Sequence, residues 1–290
     1  MLRFWATRAF GLAGVMLVSA CGANSSYSWE SAGVALRGAG EPNVFGGEVA
    51  MEGGAASRAL ERAKDKKQAL NGQRGDELVQ LRLAAVDAYR HVHERWPRSG
   101  VVASEAAFRA GELLRSAGEP DAALGQFEIA VGVADGGEFT SRALYEIGHV
   151  QRREGRMGLA LEAFEELASS AIADDHLRDL ASIWYAKVLA ETGQMADAER
   201  VLKRASKTAK DPVDRIRAFD ELILLIVERG DLEGASGWLR DCKLSVAEQS
   251  LELTTEGGRV LRALENMRGL KALQLAIAVR MKRADYDPLR

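Results

Sequence analysis

Two cysteines and four histidines are the side chains of this chain best suited to nucleophilic, acid–base or metal chemistry. The cysteines stand in unlike contexts. Cys21 ends an apolar run near the N-terminus, and Cys242 falls in a helical stretch where a small apolar residue recurs, so no disulfide framework is expected. Cys242 reads as a buried, inert thiol. His91 and His93 are two residues apart and project to different sides of a helix. His149 and His176 have no cysteine or histidine at ligand spacing, which argues against a metal site. The acid pairs Glu165–Glu166 and Asp174–Asp175 fit helix surfaces and turns. No GxSxG, Walker loop, HExxH or cysteine–histidine framework occurs. The glycines at 38 and 40 lack the flanking strand and helix of a phosphate loop. The residues therefore predict no enzyme, no metal and no cofactor, and leave a binding surface as the functional feature.

The elements that would build such a surface are written in a period. A glycine followed five residues later by an alanine occurs at Gly118/Ala123, Gly155/Ala160, Gly193/Ala198 and Gly230/Ala235, at intervals of 37 or 38 residues. Self-similarity at this period predicts stacked helical hairpins. Aromatics make up only 6% of the chain while Ala, Leu, Glu and Arg abound, which favours helix over sheet. Each glycine is placed to end a first helix in the left-handed region. Each alanine is placed where the second helix crosses the first at 8–10 Å. Glu77–Trp96 repeats the second-helix pattern, with its own first helix degenerate or absent. The net charge of -3 excludes a general polybasic nucleic-acid binder.

The ends of the chain read differently. Residues 1–20 carry Arg3 and Arg8, then the apolar run from Ala9 to Ala20, the plan of a secretory signal too short to span a bilayer. Its end, Leu17-Val18-Ser19-Ala20-Cys21, resembles the bacterial lipobox. That resemblance implies acylation of Cys21 and, with Gly22 rather than Asp following it, sorting to the outer membrane. The alternative is a plain signal peptide that happens to end in cysteine. Residues 21–56 are rich in Gly, Ser and Ala and are expected as a disordered tether. Residues 57–76 are expected as a charged, solvated helix and loop, with an arm on anionic lipid as the alternative for the lysines from Lys64 to Lys67. The array is expected over 77–246. Capping helices are expected over 247–290, with a break at Gly257-Gly258 and a solvated basic tail.

The repeats resemble the tetratricopeptide family. Gly111, Ala123, Phe127 and Ala130 match its small–small–aromatic–small spacing, as do Gly148, Ala160 and Phe164. The third and fourth copies keep the alanine but carry Ala186 and Ile223 at the glycine position and leucine at the aromatic one. The resemblance implies an all-α, right-handed α–α superhelix whose first helices line a concave groove for a protein or peptide. By register that groove would display Phe108, Glu112, Arg115, Tyr145, His149, Arg152, Ile183 and Lys187, then Asp220 and Leu224. The run from Ala88 to Phe127 also resembles the opening of envelope repeat proteins linked to outer-membrane barrel assembly and to Tol–Pal. The expectation is a lipid-anchored scaffold on the periplasmic face of the outer membrane. Its rivals are a regulatory subunit of a cell-wall enzyme and a secretin pilotin for type IV pili or motility.

Overall fold

Gly118, Gly155, Gly193 and Gly230 all adopt positive φ, between 74° and 86°. Each follows a helix, and the residue after it donates its N–H back into the last turn. The four bonds are Glu119 to Leu114 O at 3.0 Å, Arg156 to Gln151 O at 2.9 Å, Gln194 to Leu189 O at 2.8 Å and Asp231 to Ile226 O at 3.2 Å. This six-residue closure satisfies otherwise unpaired carbonyls and turns the chain into the next helix. The computed structural model describes residues 45–285 apart from 134, 136, 252 and 253. The expected signal sequence, Cys21 and the part of the expected tether up to residue 44 lie outside the described residues.

The described elements are helices throughout: α1 (Phe45–Gln68), α2 (Gly75–Arg95), α3 (Val101–Ala117), α4 (Pro120–Gly132), α5 (Glu138–Arg153), α6 (Met157–Ser169), α7 (Asp175–Glu191), α8 (Met195–Thr208), α9 (Pro212–Glu228), α10 (Leu232–Ser245), α11 (Ala247–Leu251), α12 (Thr255–Glu265) and α13 (Arg268–Asp285). Consecutive helices pack as hairpins. Successive odd-numbered helices from α1 to α9 also touch one another, whereas the even-numbered ones do not approach as closely. The odd helices thus form an inner layer and the even helices an outer one, in a TPR-like array. None of the described helices is long and apolar enough to cross a membrane.

The crossing alanines Ala123, Ala160, Ala198 and Ala235 are all fully buried. In the first two full repeats the crossing is tighter still. A Cβ on Gly111 would lie 2.6 Å from the Phe127 ring, and one on Gly148 equally close to Phe164. In the later repeats the corresponding positions carry Ala186 with the smaller Leu202, and Ile223; all three are buried.

The N-terminal expectation needs correction. Helix α1 begins at Phe45, well inside the stretch expected to be a tether, and supplies the first helix, expected as degenerate or absent, before α2. Ala56, Ala59, Leu60 and Ala63 are buried at helical spacing in its interface. Helix α1 is therefore a packed element rather than a solvated one. Lys64 pairs with Glu105 of α3 at 3.3 Å and Lys67 with Glu112 at 3.6 Å, so these lysines face the next repeat. At the other end α12 starts after Thr254, whose hydroxyl accepts from the Gly257 N–H at 3.1 Å. Gly257 and Gly258 lie inside the first turn of α12 instead of interrupting it.

Gly155 offers a clean test of the turn. A Cβ there meets nothing within 4 Å, so only φ resists substitution. Gly155→Val is expected to lower the unfolding free energy by about 1–2 kcal/mol in urea denaturation, the cost of left-handed backbone. Gly158 has equally open surroundings but no positive φ. Gly158→Ala should instead gain up to ~1 kcal/mol from helix propensity.

Candidate functional site

The odd helices of the inner layer are tied together by ion pairs that cross from one repeat to the next. Arg115 of α3 reaches Glu146 of α5 at 3.2 Å. Arg152 of α5 grips Glu191 of α7 with Nε at 2.8 Å and Nη2 at 2.5 Å. Lys187 of α7 donates to Glu221 of α9 at 2.8 Å. Arg268, the first residue of α13, donates to the same Glu221 and lies 3.6 Å from Asp220. The Asp220 carboxylate in turn accepts the Gly269 N–H at 2.6 Å. A Cβ on Gly269 would lie 2.9 Å from the Asp220 carbonyl and from Ile223, so α13 seats against α9 only because this residue is glycine.

At the centre of this face sits an aromatic cluster. The His149 ring lies edge-on to Tyr145 and to Trp184, each with centroids 4.4 Å away, and 5.3 Å from Phe164 beneath. Lys187 Nζ stands 4.3 Å from the Trp184 ring centroid and Arg152 Cζ 5.2 Å from it, both at cation–π distance. Tyr145, His149 and Trp184 are half-buried, and Tyr145 and Trp184 line a cavity on this face. Burial pushes the His149 imidazolium down to about 4, assisted by the positive charges of Arg153, Arg152, Arg115 and Lys187. His149 is therefore a neutral ring at neutral pH. Burial also raises the Tyr145 phenol and the Glu146 carboxyl above their ordinary values.

A second cluster joins the starts of α7 and α9. Asp214 is wholly buried. It takes His176 Nδ1 at 2.5 Å on one oxygen and the Arg217 guanidinium at 2.6 Å on the other. A buried carboxylate needs such partners, because an unpaired one is strongly destabilising.

These geometries sort the residues expected on the groove. Tyr145, His149, Arg152 and Lys187 are brought together around Trp184. Glu112 and Arg115 lie further along the same face, half-buried and engaged by Arg109 and Glu146. Leu224 lines a cavity of about 380 Å³ with Arg152 and Arg268. Phe108 is a correction, a core residue rather than a displayed one; Ile183 is also almost wholly buried but keeps an edge on a cavity lined by Tyr145 and Trp184. The Phe108 ring packs on Phe127 and on Phe139 of the following helix at 5.8 and 5.7 Å, with the Arg142 guanidinium over it. Phe108 points into the seam between α3 and α5, whereas Tyr145, at the same register in the next repeat, is only half-buried. The column one residue later carries Arg109, Glu146, Trp184 and Glu221, and it faces the groove. Trp184 was detectable in sequence as a tryptophan one helical turn before Lys187. Arg217 and Arg268 carried no such signal, since Arg268 belongs to a helix outside the period.

Among the described residues, no group of three His, Cys, Asp or Glu side chains could hold a metal ion. Cys242 is buried and free, and burial pushes its thiol up to about 12, as expected of an inert core residue.

Neither a protein-family model nor a curated protein matches the chain. Solved structures do share the helical-array architecture. The MamA protein is 16% identical over 70% of this chain and 98% of its own, with a TM-score of 0.48. PilW, described as a widely conserved type IV pilus biogenesis factor, is 16% identical over 81% of this chain and 96% of its own, at 0.47. PilF of Pseudomonas aeruginosa is 13% identical over 82% and 95%, at 0.48. At this distance the likeness is one of architecture.

Proposed function

We propose that the chain is a lipid-anchored, non-enzymatic adaptor that holds a protein partner against the inner face of its helical array. The observation that carries this reading is the half-buried aromatic cluster of Tyr145, His149 and Trp184. Large amphipathic rings partly open on the inner layer are the kind of surface on which a few anchor residues supply most of the binding energy. The ion pairs around them hold the layer in register, so little ordering is needed when a partner docks. The anchor belongs to the same proposal and rests on the Leu17–Cys21 motif. Two or more acyl chains would tether the array stably to a bilayer, at ~0.8 kcal/mol per buried methylene. The residue after the cysteine, Gly22, favours the outer membrane, and the partner would then belong to envelope assembly or maintenance.

Two measurements test this. Cells fed radioactive palmitate should label the wild-type chain and leave Cys21→Ser unlabelled; an unlabelled wild type rejects the anchor. Full-length chain in mild detergent should capture a specific envelope protein, and Tyr145→Ala with Trp184→Ala should reduce capture about tenfold or more, as expected for interface anchors. Undiminished capture by a folded double variant rejects the groove.

A further inference from the structure

The charges around α9 are layered by depth. The carboxylates lie low: the Asp214, Asp220 and Glu221 side chains are 0%, 13% and 17% exposed. The side chains they hold stand above them, with His176, Arg217 and Arg268 at 51%, 50% and 58%. A visitor to this surface meets donors, while the acids that orient those donors are sunk beneath. The overall charge of the chain is -3, while the outermost charged groups of this strip are guanidiniums.

The same strip borders two adjoining cavities. One, of about 410 Å³, has Tyr145, Leu180, Ile183 and Trp184 on its wall and opens between α5, α7, α9 and α13. The other, of about 450 Å³, lies between α9 and α12 and adds Arg259 and Arg262. Arg217 and Asp220 line both, so the two form one track across α9. Arg259 is itself layered over Asp211, with side chains 45% and 28% exposed.

Building on the adaptor reading, we infer that this track takes an acidic peptide segment bearing one large apolar side chain. The apolar residue enters the Tyr145–Leu180–Trp184 cavity, and flanking carboxylates run over Arg217, Arg268 and Arg262. Charge complementarity selects the sign of the partner. The apolar wall selects a peptide over an isolated anion, because a bare phosphate or headgroup leaves it uncovered. Guanidinium groups already fixed by carboxylates below lose little freedom on pairing with carboxylates above.

The probe is a fluorescein-labelled twelve-residue peptide of Asp and Glu around a central Phe-Leu. It is compared with an Asn/Gln version of the same peptide, and with an acidic version carrying Ser-Ser at its centre. Anisotropy is read on the full-length chain in mild detergent. The acidic Phe-Leu peptide should bind at least about tenfold tighter than either comparison peptide, with affinity falling as salt is raised. Arg262→Gln with Arg268→Gln leaves the Asp214 pairs intact and should weaken it about tenfold while the melting curve keeps its cooperative shape. Equal affinity for the acidic and neutral peptides, or no effect of the paired substitution, overturns the inference. If the neutral Phe-Leu peptide binds as well and Tyr145→Ala with Trp184→Ala abolishes it, the adaptor groove stands and only its acidic preference falls. If no peptide binds and the envelope capture also fails, both fall. Binding to phosphatidylglycerol vesicles through Arg262 and Arg268, with no peptide bound, would reassign the strip to headgroups and overturn it as well.

Discussion

Gly148→Val is expected to lower the unfolding free energy by about 2–3 kcal/mol and to loosen the aromatic cluster above it, an overpacking effect at the upper end of its usual range. Even the first added carbon would stand 2.6 Å from the Phe164 ring. That ring is fully buried and contacts Tyr145, His149 and Trp184, so it cannot retreat without moving them. Urea denaturation gives the loss, and near-ultraviolet circular dichroism reports the cluster. A rescue variant sharpens the test. The third repeat solves the same crossing with Ala186 and Leu202, so Gly148→Ala with Phe164→Leu should recover about half or more of what Gly148→Ala alone loses, as coupled neighbours do. A wild-type denaturation midpoint for Gly148→Val would mean that the ring contact does not limit this crossing.

The second large effect concerns acid. The His149 pKa is about 4 in the folded chain, against an ordinary value near 6.5. A depressed histidine takes its proton more readily when unfolded, so the unfolded state binds more protons between these values and stability rises with pH there. The contribution is fully present above about pH 6.5 and is lost progressively as pH falls toward 4. Its size is about 2 kcal/mol after allowance for the partly open side of the ring. His93 acts in the same direction, its imidazolium also disfavoured by burial. His149→Phe removes the titrating group and keeps a ring. Melting temperatures measured across this window should therefore fall less steeply for His149→Phe than for the wild type. Parallel curves would show that His149 does not sense the medium.

The fold was legible because its turns and crossings need particular residues. Only glycine relieves the left-handed closures, and only a small side chain fits where two helices meet, so Gly118 to Ala235 announces the array directly. Helix α1 was harder. Its buried residues are mostly alanines, and alanine serves equally in a coil or in an interface, so the stretch from Phe45 reads as linker until α2 is seen to cover it. The site was half legible. The inner helices α3, α5, α7 and α9 lie where the period puts them, but a rotation of one residue separates the buried Phe108 and Ile183 from the column that carries Trp184. Helical periodicity has a tolerance of about that size when several neighbouring columns are apolar. The layered acids and cations of α9 were beyond reach for a different reason: depth, not type, distinguishes Asp214 from an exposed aspartate.

The seating of α13 on α9 has a consequence for motion. Each hairpin in such an array rests chiefly on its neighbours, so opening begins at the ends and travels inward. Release of α13 would carry Arg268 away and leave Glu221 with Lys187 alone. The peptide track would then lose one wall before any inner repeat had changed. A ligand lying across α9 and α13 therefore acts as a splint, and slowed amide exchange should appear first in those two helices.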